Sequence, residues 1–324
     1  MRTDLIAQVL EILHDAGFIV SRRCETRSFD LAARRSEITL LTKIMRNIDG
    51  LSEDVAKSIK RAAFCLLAAP LVVGERTGAS FLEDDVVYHR YGIPALNPHT
   101  LYDYFAEDIE PCVYSATGGV YANIDGAAMK VAREKKELSL GDVASESGVS
   151  RRSISKYEEG GTSPTIDIAL KLEEILDTAL IEPLEFLNKD SEEPSSDVLT
   201  GGVEEAASDL ERHILRTMEE IGFEIFTTAY APFSAVSSPE LPSKARGECA
   251  KILTGVSDCT ERMIKRAKIV SSVSQVTRTK SVFVVNGKVK YVQIDNTVLI
   301  GTDELKRIRD LEEFTTVMEE RVKN

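Results

Sequence analysis

The segment LSLGDVASESGVSRRSISKYEEGGTSP, Leu138–Pro164, decides how the chain is read. Ser139 stands where a side-chain oxygen caps a short helix, and Leu140, Val143 and Ala144 fall on one face of it. Gly148 supplies a turn that tolerates positive φ, and Ser150 caps a second helix whose inward residues are Ile154 and Tyr157. Helices joined this tightly need a small residue at their crossing and an apolar residue in the turn, and Ala144 and Val149 meet those needs. The outward side of the second helix is left with Arg151, Arg152, Ser155 and Lys156.

Arginine near the N-terminal end of a helix suits the base edges of a major groove, because its planar fork donates two bonds to guanine O6 and N7. Arg133, Lys135, Lys136 and the N-terminal amides of the helix that Ser139 caps suit phosphate contacts, which fix register without reading sequence. A solvated helix face is the ordinary fate of such cations. The caps, the turn glycine, the small crossing residue and the spacing Gly160-x-x-x-Pro164 are needed for the motif and not for an ordinary helix.

The run Gly148–Glu158, followed by Gly160 and Pro164, resembles the Cro and phage-repressor (XRE) helix-turn-helix family over about residues 126–182. The resemblance implies a five-helix all-α domain, with Ser150, Arg151, Arg152 and Lys156 where relatives touch DNA. Many relatives begin the first helix of the motif with glutamine; Leu140 stands there, which removes that backbone contact.

Outside this segment the chain is acidic. It has 324 residues and a formal net charge of −13, with 43% apolar and 29% charged residues. That length exceeds the about 250–300 residues at which single cores stop growing, so several domains are expected. The acidity excludes a protein that coats nucleic acid everywhere, and any DNA contact must be local. Residues 127–165, with seven cations and six acids, are the stretch least repelled by phosphate. Five scattered cysteines without a C-x-x-C pair indicate neither a disulfide framework nor a zinc knuckle, and point to the cytoplasm. The longest apolar run, Phe64–Val73, is too short to span a bilayer.

Residues 1–111 read as α-β-β-β-α-β-β-α: a helix at about 4–16, strands near Phe18–Arg22, Ser28–Arg34 and Glu37–Met45, and a helix from Ser52 to about Ala69. Strands at Leu71–Gly74 and Val86–Tyr91 and a helix from Pro98 to about Glu107 follow. Residues 112–125 form a hairpin connector around Gly118-Gly119, whose Tyr114 and Tyr121 are a cross-strand pair or a wing against DNA. Residues 126–187 are the helical domain, and 188–208 read as a flexible acidic linker.

Residues 209–324 read as a diverged repeat of the first domain. Four anchors carry this reading. Val9-Leu10 to Gly17-Phe18 matches Ile214-Leu215 to Gly222-Phe223, and Phe29 matches Phe233. Thr42–Met45 matches Ala250–Leu253, and Ile59–Ala62 matches Ile264–Ala267.

The order of elements over residues 4–91 resembles the PD-(D/E)XK nuclease fold. That chemistry needs two acids around a divalent metal and a lysine beside the attacking water. Asp30 and Lys43 stand in such places, Leu41 replaces the second acid, and Glu37 is the nearest substitute. In the second copy Ser234 and Cys249 take the acid positions and Lys251 the lysine position. The glycines at 74–78 and 118–119 lack the lysine of a phosphate loop, and His14, His89, His99 and His213 lie on separate elements.

The expectation is therefore multidomain α/β plus all-α, with a central five-helix domain between two similar restriction-endonuclease-like domains. The function expected is that of a sequence-specific, double-stranded-DNA-binding regulator, resembling archaeal HTH-type regulatory proteins. It is expected to act as a cytoplasmic homodimer without cofactor, metal, catalytic residues or membrane contact, and to be open to a small-molecule effector. A metal-dependent nuclease is the alternative.

Overall fold

The computed structural model describes residues 2–187, 202–239, 251–287, 289 and 291–322. The first unit contains α1 (Arg2–Asp15), β1 (Ile19–Val20), β2 (Leu31–Arg35), β3 (Ile38–Asn47), α2 (Glu53–Leu66), β4 (Ala69–Thr77), β5 (Ser80–Phe81), β6 (Val86–Arg90), β7 (Ile93–Leu96) and α3 (Pro98–Ala106). Helix α1 buries Leu5, Val9, Ile12 and Leu13, the spacing of one helical face, against the sheet. The Ser52 hydroxyl accepts the Val55 N–H and starts α2, with Glu53 and Asp54 set against the helix dipole. Strand β3 runs antiparallel to β2 and parallel to β4, and its middle, Thr39–Ile44, is buried on both faces.

Two strands here escape the sequence reading. β7 contains Pro94, which argues against a strand by its missing N–H, yet β7 pairs β4 in parallel and β6 antiparallel. The short β5 folds back on β4. The hairpin of β8 (Val113–Ala116) and β9 (Gly119–Ala122) is also not a free connector. β8 pairs β6 in parallel and extends the sheet to the order β1-β2-β3-β4-β7-β6-β8-β9. Its Tyr114 and Tyr121 rings stack on each other at 6.0 Å, the cross-strand pair of the two readings.

The helical unit follows as α4 (Gly126–Lys135), α5 (Leu140–Ser147), α6 (Arg151–Glu158) and α7 (Ile166–Leu176). The expectation of five helices is corrected here. After α7 the Leu180 N–H is taken by Glu173, Ile181 bridges Ile124, and residues 182–187 form no helix and pass along the first unit. Pro183 has no N–H to offer a helix interior, and Leu184, Phe186 and Leu187 gain burial against the first core instead.

The second unit contains α8 (Asp209–Ile221), β10 (Glu224–Thr227), β11 (Ala235–Ser238), β12 (Ile252–Asp258), α9 (Glu261–Thr277), β13 (Lys280–Asn286), β14 (Gln293–Ile294), β15 (Thr297–Gly301), α10 (Thr302–Leu305) and α11 (Leu311–Val322). Its sheet order is β10-β11-β12-β13-β15-β14, and each pair has the same direction as its counterpart in β1-β2-β3-β4-β7-β6. Of the acidic linker, residues 188–201 lie outside the described residues. The rest of it is corrected: Val203 is buried in the second core, so 202–208 belong to that unit.

Hydrogen bonds fix how the two units correspond. Asp30 N–H donates to Thr42 O, as Ser234 N–H does to Thr254 O; Asp30 Oδ2 accepts the Ile44 N–H, as Ser234 Oγ accepts that of Val256. Thr42 thus matches Thr254, and the counterpart of Lys43 is Gly255. The anchors at α1 and Phe29 keep their register, whereas that at 42–45 slips by four residues. The anchor on α2 slips by three, nearly one helical turn, because helix caps at Ser52 and Thr260 set the start of each helix.

The two units share one core. Phe29, Leu41, Ala62, Ala63 and Leu66 of the first pack with Phe233, Leu253, Ala267, Val270 and Val273 of the second, and the Phe29 and Phe233 rings lie 6.4 Å apart. Polar contacts seal the margin: Arg34 Nε donates to Val276 O at 2.7 Å and Arg61 Nη1 to Thr227 O at 3.2 Å. Among the described residues no helix is long and apolar enough to cross a membrane.

Candidate nucleic-acid interface

Helices α5 and α6 are fixed by their ends. The Ser139 hydroxyl accepts the Asp142 N–H while the Asp142 carboxylate accepts the Ser139 N–H, and this pairing holds the Asp142 carboxyl below its ordinary pKa. Gly148 ends α5 at φ +81°, a conformation that L side chains rarely adopt. Ser150 then caps α6 through the Ser153 N–H at 3.0 Å. Val143, Ala144, Ile154 and Tyr157 are buried with Met129, Leu172 and Leu176, so the outer face of α6 is set by exclusion.

On that face Arg151, Arg152 and Lys156 are exposed. Ser155 is half-buried and its hydroxyl donates to Glu159 Oε1 at 2.7 Å. Lys135 is exposed at the end of α4, and Lys136 Nζ donates to Ile175 O, closing the C-terminal end of α7. Leu140 packs partly against the helical core, in keeping with its lack of a polar contact to offer.

Arg133 requires a correction. Its Nε and Nη2 donate to the two Glu158 oxygens at 2.5 and 3.0 Å, its Nη1 donates to Leu138 O, and its side chain is 12% exposed. It braces α4 to the end of α6 and is turned away from solvent, so it is not a phosphate ligand. No local pattern signals the pair, since Glu158 lies 25 residues away in sequence. Gly126 was also missed: a Cβ there would fall 2.4 Å from Tyr157 O, so only glycine lets α4 approach α6 so closely.

The nuclease-like residues lie elsewhere, at the junction of the two α/β units. Asp30 and Lys43 are 2% and 8% exposed, and Lys43 Nζ sits 3.4 Å from Asp30 Oδ2. Glu37 is exposed on the β2–β3 turn, six residues from Lys43, which is about 20 Å along a strand. It is no substitute for the missing acid. In the second unit Ser234 and Gly255 replace both Asp30 and Lys43, and a Cβ on Gly255 would strike the Phe283 ring. Cys249 lies outside the described residues. Lys251, taken from sequence as the second lysine, instead stands before β12, buried beside Cys65 of α2. Burial lowers the Lys251 amine to about 8 and pushes the Cys65 thiol up to about 12. Among the described residues no three His, Cys, Asp or Glu side chains converge to hold a metal.

Comparison with known proteins agrees with this division. Residues 129–182 match the helix-turn-helix family model, and residues 2–111 match the PD-(D/E)XK superfamily domain. A protein of Methanococcoides burtonii is 44% identical over 98% of this chain and 97% of its own length. One of Natronomonas pharaonis is 42% identical and one of Halobacterium salinarum 39% identical, each over 99% of this chain and 98% of its own length. All three are provisionally named HTH-type transcriptional regulatory proteins. No solved structure matches the chain.

Proposed function

The chain belongs to the family of archaeal HTH-type transcriptional regulatory proteins that these relatives represent, and from that membership we propose that it binds double-stranded DNA in a sequence-specific manner through α6. The observation that carries the proposal is the division of α6 into a buried face of Ile154 and Tyr157 and an exposed face of Arg151, Arg152 and Lys156. In the major groove Arg151 and Arg152 read base edges. Lys156, Lys135, Ser139 and the α5 amides meet phosphates, with Ser150 and Ser155 assisting. Lys136 joins them only if it leaves Ile175 O.

The partner is a second copy of the chain, with the two α6 helices about 34 Å apart on a two-fold site. The shared α/β core is consumed within one chain, so that contact between copies must use another surface. The scattered cysteines support a cytoplasmic setting. For a small-molecule effector, the cleft between Tyr104, Leu184 and Leu187 is small at ≈ 160 Å³, whereas the more open one between Gln8, Ile12, Pro98, His99 and Tyr102, at ≈ 300 Å³, reaches the lower end of the roughly 300–1,000 Å³ of typical ligand sites.

Selection of bound duplexes from a random pool tests the reading directly. A palindromic consensus is expected, and Arg151→Ala or Arg152→Ala should cost about 1–3 kcal/mol of specific binding to it. Recovery of no consensus, or unaltered specificity in both variants, overturns the assignment. The second reading, nuclease, draws on the Asp30–Lys43 pair, but that pair is desolvated and one carboxylate short of a metal site. Plasmid cleavage that requires Mg²⁺ and disappears in Asp30→Ala would restore it.

A further inference from the structure

The described surface holds a second group of cations that the helix-turn-helix does not use. Residues 260–280, which contain α9, carry six cations and a single acid, Glu261, in a chain whose net charge is −13. On α9 the apolar residues Met263, Ala267, Val270 and Val273 point into the shared core, which leaves Arg262, Lys265 and Lys268 exposed at three-residue spacing along the opposite side. One turn beyond Lys268, Ser272 Oγ accepts the Arg22 N–H of the first unit at 2.8 Å. The side chains of Arg22 and Arg23 are exposed there, so the row of cations crosses the junction between units. Asp295 lies 3.7 Å from Arg22, and Glu261 stands at the start of α9.

From Arg262 to Ser272 the helix rises about 15 Å, a length over which one DNA strand presents roughly four phosphates. The row is fixed relative to α6. The helical unit is tied to the first sheet by Ala122 N–H to Pro164 O and by Leu184 N–H to Pro111 O, and the first unit is tied to α9 by the common core.

We propose that Arg262, Lys265 and Lys268 of α9, with Arg22 and Arg23 beside them, form a second binding surface for the phosphate backbone of double-stranded DNA, outside the base pairs read by α6. This deepens the regulator reading and rests on it. The surface adds affinity and salt dependence without sequence information, because it offers charge at backbone spacing on a face with no groove-entering element.

Full-length protein, the triple variant Arg262→Gln/Lys265→Gln/Lys268→Gln and the pair Arg151→Ala/Arg152→Ala are compared on a duplex of about 40 base pairs of random sequence, from about 50 to 200 mM salt. Circular dichroism checks that each is folded. The triple variant should bind at least about tenfold more weakly at low salt and lose about 2–3 from the slope of log K against log salt. A wild-type slope and affinity in the triple variant, with weakening in the arginine pair, overturns the second surface and leaves the α6 reading standing. Weakening in the triple variant with full binding by the arginine pair supports the second surface, because base-reading side chains add little on a duplex of random sequence, and the reading of bases by Arg151 and Arg152 is decided by the selection experiment. Absence of duplex binding by the wild type removes both. If polyglutamate of matched charge binds the wild type as tightly as the duplex and depends on the same three cations, the surface is for an acidic protein and the DNA proposal falls.

Discussion

Arg133 and Lys135 sit two positions apart on α4, and their surroundings give them opposite tasks. Arg133 is enclosed with Glu158, and removing one member of a buried pair leaves an uncompensated charge. Arg133→Ala should therefore lower stability by about 3 kcal/mol, seen in thermal or urea unfolding, with little change in the salt slope of DNA binding by the folded fraction. Lys135→Ala should do the reverse, leaving the melting temperature in place and reducing that slope by about 1. Lys251 gives a different signature. Its amine titrates near 8 in the folded chain and near 10.5 when unfolded, so between those values the unfolded chain holds the extra proton and stability rises with pH. Below pH 8 the full penalty of burying the charge is present. Lys251→Met should raise the melting temperature at pH 7 and flatten the rise between pH 8 and 10.5; an unaltered pH profile would show that another group produces it.

At the scale of elements, helix ends were legible because capping is local chemistry. Ser139 and Ser150 each accept the N–H three residues on, as their sequence positions suggested, and Ser52 and Asn97 do the same for α2 and α3. Elements that depend on distant partners were not legible. Strand β7, with Pro94 inside it, exists because β4 and β6 flank it, and the expected fifth helix gives way to a strap whose apolar residues find a better surface on the first unit. Gly126 belongs to the same class, since nothing near it in sequence demands glycine. Gly126→Ala should push α4 off α6 and destabilise the helical unit, weakening DNA binding through loss of folded α6, with loss of helical dichroism on mild heating as the readout. A variant that keeps wild-type stability would mean that the backbone shifts at little cost.

The whole molecule is organised by one core shared between two sheets of the same order. Phe233 is fully buried there, against Phe29 of the other unit. Phe233→Ala should cost about 3–5 kcal/mol and lower a single unfolding transition that includes both units. Two separated transitions in the wild type would contradict the dependence of each unit on the other. The matching sheet orders and the paired hydrogen bonds at Asp30 and Ser234 support an internal duplication, which we propose as the origin of the arrangement. Asp30 and Lys43 are buried in the first unit, and Ser234 and Gly255 stand at their places in the second.

What the amino-acid order alone determined was local: the caps, the turn at Gly148, the amphipathic division of α6 and the α/β character of the flanks. Each follows from interactions within a few residues, which the chain carries wherever it goes. The partner of Arg133, the burial of Lys251, the true counterpart of Lys43 and the row of cations crossing from α9 to Arg22 were decided by the tertiary structure. They depend on which surfaces meet, and a buried contact between residues far apart in the chain leaves no periodicity to read.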